Sequence, residues 1–193
     1  MIRLLSSKLA DFLCDKNIIP EDEKDIYVYG NELLISSFVG IFLVCVAGVI
    51  LGEFLNTLAF LVVFIINRQF SGGYHANTFL KCSMVFMLVY LFVLFLSKIL
   101  LSNYSLFIWL IVAFAHLSII IDLAPMPNKY KPISDSQRRE AKKKIIIISI
   151  IFQLVAAFVF FFDTQLSLVI TLTLLSISML MILQKTCGGE KDE

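Results

Sequence analysis

The chain has 193 residues, of which 59% are hydrophobic and 16% charged, against roughly 45–50% apolar and about 25% charged residues in a soluble domain. A soluble sphere of this size could not hide so much apolar surface, which includes 18 phenylalanines, so the composition reads as an integral membrane protein. It excludes collagen, coiled coil, disordered tail and secreted disulfide scaffold, and nucleic acid is not an expected partner; the net charge of +1 says little as a total, whereas the placement of the charges says much.

Residues 1–16 read as an amphipathic helix. Ile2, Leu5, Leu9, Phe12 and Leu13 share one helical face, and Arg3, Ser7, Lys8, Asp11 and Asp15 lie mostly on the other. That pattern suits a helix lying in the membrane interface; a solvated arm is the alternative. The charges throughout this stretch argue against a cleavable signal peptide. Pro20 and the acidic run to Asp25 mark a turn before the first crossing.

The charges then divide the chain. Uncharged runs of 20, 14, 16, 23, 18 and 21 residues occupy 33–52, 54–67, 82–97, 99–121, 145–162 and 164–184. A helix rises ~1.5 Å per residue and must cross a core of ~30 Å, so about 20 residues are wanted. The expected fold class is all-α and polytopic, with six transmembrane helices at approximately 33–52, 54–67, 82–98, 101–121, 145–162 and 164–184. The second and third are short unless they borrow flanking residues. Of the 16 basic residues, 15 fall in 1–32, 68–81, 122–144 and the tail, and only Lys98 falls on the other side. This asymmetry places both termini and both large loops on the cytoplasmic side of a multi-pass membrane protein. Short hairpins are expected near Glu53 and Asp163.

The stretch 68–82 holds the richest chemistry. Gly72 and Gly73 disfavour a continuous helix, so 68–81 is expected to form a cytoplasmic or partly re-entrant loop shielded by protein or water. His75 and Cys82 are seven residues apart, which in one straight helix is ~10.5 Å along the axis. A general base must come within ~2.6–3.2 Å of its proton. A dyad therefore needs a turn near His75 and a helix starting around Thr78. Cys82 would then fall in the first turns of that helix, where the helix dipole favours a thiolate. The plain alternative makes Cys82 a buried filler and His75 an interface residue.

Other positions carry less. His116, inside an apolar run, is expected to make an interhelical hydrogen bond. Cys45 reads as a small hydrophobe, and Cys14 and Cys187 as free thiols. No CxxC pair and only two histidines occur, so no metal or cofactor is expected. The segment 122–144 combines Pro125, Pro127 and Pro132 with Lys129, Lys131, Arg138, Arg139, Lys142, Lys143 and Lys144. It serves either as a solvated positive-inside anchor or as a docking surface for an acidic peptide or lipid.

The six apolar runs, Arg68…Gly72-Gly73-Tyr74-His75-Ala76…Cys82, and the proline- and lysine-rich loop after the fourth run together resemble the accessory gene regulator protein B family. The likeness spans nearly the whole chain. Ser71 stands where relatives often have alanine, a conservative departure. The resemblance implies a cysteine endopeptidase of the bacterial cytoplasmic membrane that acts in quorum sensing. It would remove the acidic tail of a propeptide with an amphipathic leader and promote cyclisation to a thiolactone or lactone. His75 and Cys82 match the family's catalytic pair, Arg68 its arginine, and Gly72 and Gly73 its glycines. On that reading Asn77, Gln69 or Glu32 can orient His75, and Arg68 or a backbone N–H near Gly73 can serve the oxyanion. The partners implied are the propeptide and membrane lipid, with a homodimer left open. A small membrane peptide exporter and a non-enzymatic membrane scaffold are the competing readings. The absence of Asp, Glu, Lys and Arg from the apolar runs argues against ion-coupled transport.

Overall fold

The computed structural model describes residues 2–16, 18–71, 79–126 and 134–188. They form seven α-helices: α1 (Ile2–Asp15), α2 (Lys24–Ile50), α3 (Phe54–Ser71), α4 (Phe79–Leu100), α5 (Leu106–Leu123), α6 (Asp135–Val159) and α7 (Thr164–Gly188). Single 3-10 turns cover Glu21–Glu23 and Leu101–Asn103. No strand occurs among the described residues.

Among the described residues, five helical stretches are long and apolar enough to cross a membrane: Glu21–Ile50, Phe54–Ser71, Cys82–Asn103, Leu106–Leu123 and Thr164–Thr186. Six stretches were expected to cross, and α6 is the one that does not qualify. Its first turns carry Arg138, Arg139, Glu140 and Lys142–Lys144, which leaves only 145–159 as uncharged helix. At ~1.5 Å per residue that portion falls short of a ~30 Å core. The outward faces of the qualifying helices are apolar. Phe38, Phe42, Phe95, Phe107 and Phe114 each expose 66% or more of their surface, far beyond what a soluble surface tolerates. The chain is therefore a polytopic, all-helical membrane protein.

Helix ends follow local chemistry. α2 stops at a Schellman-type cap: Gly52 has φ +68°, Gly52 N–H donates to Val49 O (3.1 Å) and Glu53 N–H to Gly48 O (2.9 Å). Only glycine takes that φ without strain. The Ser105 hydroxyl accepts from Ile108 N–H at the start of α5. Ser134 and Gln137 form a capping box on α6. The Asp163 carboxylate accepts from Leu166 N–H (2.9 Å) at the start of α7.

Two boundaries differ from the sequence expectation. α3 continues through Arg68 and Gln69 to Ser71, so the segment 68–81 opens in helix rather than loop. Nothing in Arg68–Ser71 breaks a helix, and the glycines begin only at Gly72. The segment 122–144 likewise contains the end of α5 and the first turns of α6.

The chain packs as two compact units, one of residues 1–47 and 76–88, the other of 48–75 and 89–193. In the first, α1 buries Ser6 and Ala10 and leaves Leu4, Leu5, Leu9 and Phe12 exposed. Asp11 pairs with Lys24 at the start of α2. In the second, α7 packs against α3, α5 and α6. Its apolar centre is Val63, Ala156, Ile170 and Leu174, and polar contacts tie the same helices. Tyr104 Oη lies 3.0 Å from Thr171 Oγ1, and Ser149 Oγ donates to Asn67 Oδ1 at 3.2 Å. His116, fully buried, has Nδ1 2.7 Å from Ser178 Oγ, the interhelical bond expected of it. Such bonds hold helices together where lipid supplies no hydrophobic drive.

Candidate functional site

The candidate nucleophile Cys82 is a free, half-buried thiol on the first turn of α4. That turn presents backbone N–H groups with no partner inside the helix. Beside it, Ser83 Oγ lies 3.2 Å from Ser36 Oγ on α2. One turn further on, Gly40 packs on Phe86, whose ring would stand 3.4 Å from a Cβ added there. Both pairings ascend along the two helices, so α2 and α4 run parallel here. Cys82 and Phe86 are four residues apart and share a stripe on α4.

Glu32 lies four residues before Ser36, on the same stripe of α2, and is 91% buried, with 9% of its surface exposed. A carboxylate so covered is costly unless it finds donors or a cation. Among the described residues it is the one acidic side chain on the α2 stripe within two turns of Ser36. Ser36 and Ser83 were not singled out from the sequence, although small hydroxyl residues in apolar helices are a known sign of helix contacts.

Arg68 and Gln69 occupy the last turn of α3. The Arg68 guanidinium stands 6.0 Å from the centroid of the Phe64 ring, and Gln69 is exposed. Ser71, fully buried, accepts a 3.0 Å bond from Met126 N–H at its carbonyl. This bond fixes the end of α3 against the segment that follows α5. Gly72, Gly73, His75 and Asn77 lie outside the described residues, so no distance from His75 to Cys82 or Glu32 is stated.

Of the basic docking residues, Lys129 and Lys131 also lie outside the described residues. Arg138, Arg139, Lys142, Lys143 and Lys144 are helical. Helical spacing stacks Arg138 over Lys142 and Arg139 over Lys143, which turns a run of charge into a two-row stripe. Among the described residues no group of three or more His, Cys, Asp or Glu side chains is placed to hold a metal ion.

At another end of the second unit, Glu53 receives hydrogen bonds from Lys98 Nζ (2.7 Å), Asn56 Nδ2 (2.6 Å) and Gln165 Nε2 (3.2 Å). The Lys98 bond, aided by those of the two amides, holds its carboxyl below the usual range. Glu53, in the α2–α3 turn, thus ties Lys98 near the end of α4 to Gln165 at the start of α7.

The sequence matches the family described as accessory gene regulator B over residues 6–183. It is 27% identical to a protein described as "Putative AgrB-like protein 2" from Clostridium perfringens (strain 13 / Type A), over 149 residues that cover 75% of this chain and 70% of that one. It is 26% identical, over the same length and coverage, to a "Putative AgrB-like protein" from Clostridium perfringens (strain SM101 / Type A). No solved structure matches.

Proposed function

The chain belongs to the accessory gene regulator B family, polytopic membrane proteins implicated in quorum-sensing peptide processing, and from that premise we propose that it is a membrane cysteine endopeptidase. Its substrate is a propeptide with an amphipathic leader and an acidic tail. The observation that carries the proposal is a half-buried free thiol, Cys82, on the first turn of α4.

In the proposed reaction, His75 accepts the thiol proton of Cys82. The thiolate attacks the carbonyl at the junction of signal and tail, and the tetrahedral intermediate collapses to an acyl-enzyme thioester. His75 gives its proton to the leaving amine of the tail. The propeptide's own thiol or hydroxyl then attacks the thioester, closes a thiolactone or lactone, and returns Cys82 as thiol. The exchange of one thioester for another is nearly neutral in bond energy, so proximity within the bound chain drives it. Exclusion of water from a pocket at the membrane protects the thioester from hydrolysis. Glu32 positions His75 through its second ring nitrogen, with Asn77 and Gln69 as further orienting groups. Arg68 and the Gly72–Gly73 backbone serve the oxyanion.

The proposed topology has six crossings, with the short apolar part of α6 as the sixth, completed by its flanking lysines reaching to the interface and by local thinning of the bilayer; both termini are then cytoplasmic and α1 lies flat in the interface. The basic stripe of α6, with Lys129 and Lys131, attracts the acidic tail. Mass spectrometry of a propeptide co-expressed with this chain tests the proposal. A cut and cyclised product supports it; an intact peptide, whether exported or retained, refutes it.

A further inference from the structure

An open groove of about 680 Å³ lies between the last turns of α5 and α7. Its walls are apolar, with Ile119, Ile121 and Leu123 from one helix and Ile182 from the other, and its rim carries Asp122 and Lys185. We propose that this groove is a site for a zwitterionic phospholipid whose headgroup carries a primary ammonium, that is, a phosphatidylethanolamine.

The argument starts from the two charges. Asp122 and Lys185 are both exposed, and among the described residues no ion pair joins them. Lys185, in the last turn of α7, sits where a helix dipole favours a cation. Asp122 sits in the last turn of α5, where the dipole end is negative and a carboxylate is disfavoured. That end gains most from a cation supplied from outside. One ligand meets both demands when it carries a phosphate for Lys185 and an ammonium for Asp122 a few bonds apart. Charge-assisted hydrogen bonds of this kind are roughly twice as strong as neutral ones.

The surroundings point to a lipid. Both helices are long and apolar enough to cross a membrane, and the groove opens at their ends. Ile121 and Leu183 leave half of their surface uncovered, so acyl chains can continue along the helices from the isoleucine walls. An anionic lipid such as phosphatidylglycerol satisfies Lys185 but leaves the Asp122 carboxylate facing neutral hydroxyls. Phosphatidylcholine carries the charge but has no N–H to donate to Asp122.

Native mass spectrometry of the full chain, released from detergent with equal amounts of phosphatidylethanolamine, phosphatidylcholine and phosphatidylglycerol, tests the site. Phosphatidylethanolamine is expected to be retained most. Asp122→Asn should lower that retention roughly tenfold, the loss of one charge-assisted contact, while sparing phosphatidylglycerol. Lys185→Gln should lower retention of all three lipids, and Lys185→Arg should preserve it. A photoreactive phosphatidylethanolamine should cross-link unmodified protein at 118–123 and 182–185, a readout that does not depend on any variant folding. Equal retention of the three headgroups by the unmodified chain, unchanged retention in both charge-removing variants, or cross-links confined to other segments would overturn the proposal. So would a bound peptide in the groove in place of lipid.

Discussion

Ser36 Oγ on α2 stands 3.2 Å from Ser83 Oγ on α4, one residue from Cys82. This bond links the two helices beside the thiol, as hydroxyl pairs do between apolar helices. Ser83→Ala should leave Ser36 without this partner, at a cost of about 1 kcal/mol. The expected result is a several-fold loss in cleavage with little change in substrate binding. Ser83→Thr, which keeps the hydroxyl, should retain most activity. Steady-state kinetics on reconstituted protein separate kcat from KM, and an unchanged kcat in Ser83→Ala would remove the bond from the mechanism.

Cys82→Ala should abolish cleavage at every pH. His75→Ala should also fail near neutral pH, where an unassisted thiol is only a few per cent ionised, yet recover part of its activity as pH rises. Raising pH supplies thiolate but cannot supply a missing nucleophile. Changing Cys14, Cys45 and Cys187 together to alanine should leave substantial cleavage. The measurement is product formation against pH for purified variants in lipid, and cleavage by a folded Cys82→Ala protein would exclude thiol catalysis.

The stripe on α6 gives a binding prediction. Changing Arg138, Arg139 and Lys142 to glutamine should raise KM for a propeptide with an acidic tail and leave kcat nearly unchanged. Each exposed pair contributes only ~0.2–1 kcal/mol, but several act together. The effect should shrink as salt is added, because exposed charges are screened. A KM that does not move at low salt would leave these residues with a purely topological role.

Glu53 gives a pH prediction. Its folded carboxyl is held below the ordinary value of 4.5, first by the Lys98 hydrogen bond. A depressed acid contributes stability that is complete above its unfolded value and is lost as pH falls through the folded one. The melting temperature of the unmodified protein should therefore drop more steeply below about pH 4.5 than that of Glu53→Gln. Lys98 is half exposed, so the difference at neutral pH should be modest, ~0.5–1 kcal/mol. Parallel acid profiles for the two proteins would show that the pair is energetically idle.

Gly48 gives a packing prediction. A Cβ there would collide with Oγ1 of Thr57. Thr57 cannot simply turn away, because its hydroxyl bonds Glu53 O at 2.7 Å and meets Tyr90 Oη at 2.8 Å. Gly48→Ala should destabilise the protein by ~1–3 kcal/mol. The double variant with Thr57→Ala should recover part of that loss, since it removes the atoms in collision. Thermal unfolding in detergent checks both, and additive effects would mean that the two residues do not meet.

Much of the helical layout is legible in residue order alone. The placement of charges brackets the apolar runs, and glycine and acidic residues mark the turns at Gly52–Glu53 and Asp163, because helix capping and hydropathy are local properties of a few neighbouring residues. Local reading also misjudged the start of the 68–82 segment. It weighed the glycines over the whole stretch, whereas α3 runs through Arg68 and Gln69 to Ser71. The chemistry of Cys82 and His75 was legible only as residue types at a spacing and through a family likeness.

The sequence by itself determined that this chain is an all-helical membrane protein, which family it belongs to, and where its basic residues concentrate. Only the tertiary structure decided which helices touch and through which atoms. Ser36 meets Ser83, Gly48 admits Thr57, His116 meets Ser178, and Glu53 gathers Lys98, Asn56 and Gln165. Apart from the local pair Glu53 and Asn56, 3 residues apart, these partners are 9 to 112 residues apart, the widest being Glu53 and Gln165. Apolar helices in lipid are nearly interchangeable in hydropathy, so a few small and polar side chains select the neighbours. That selection depends on rotation and height about each helix axis, which no local pattern specifies.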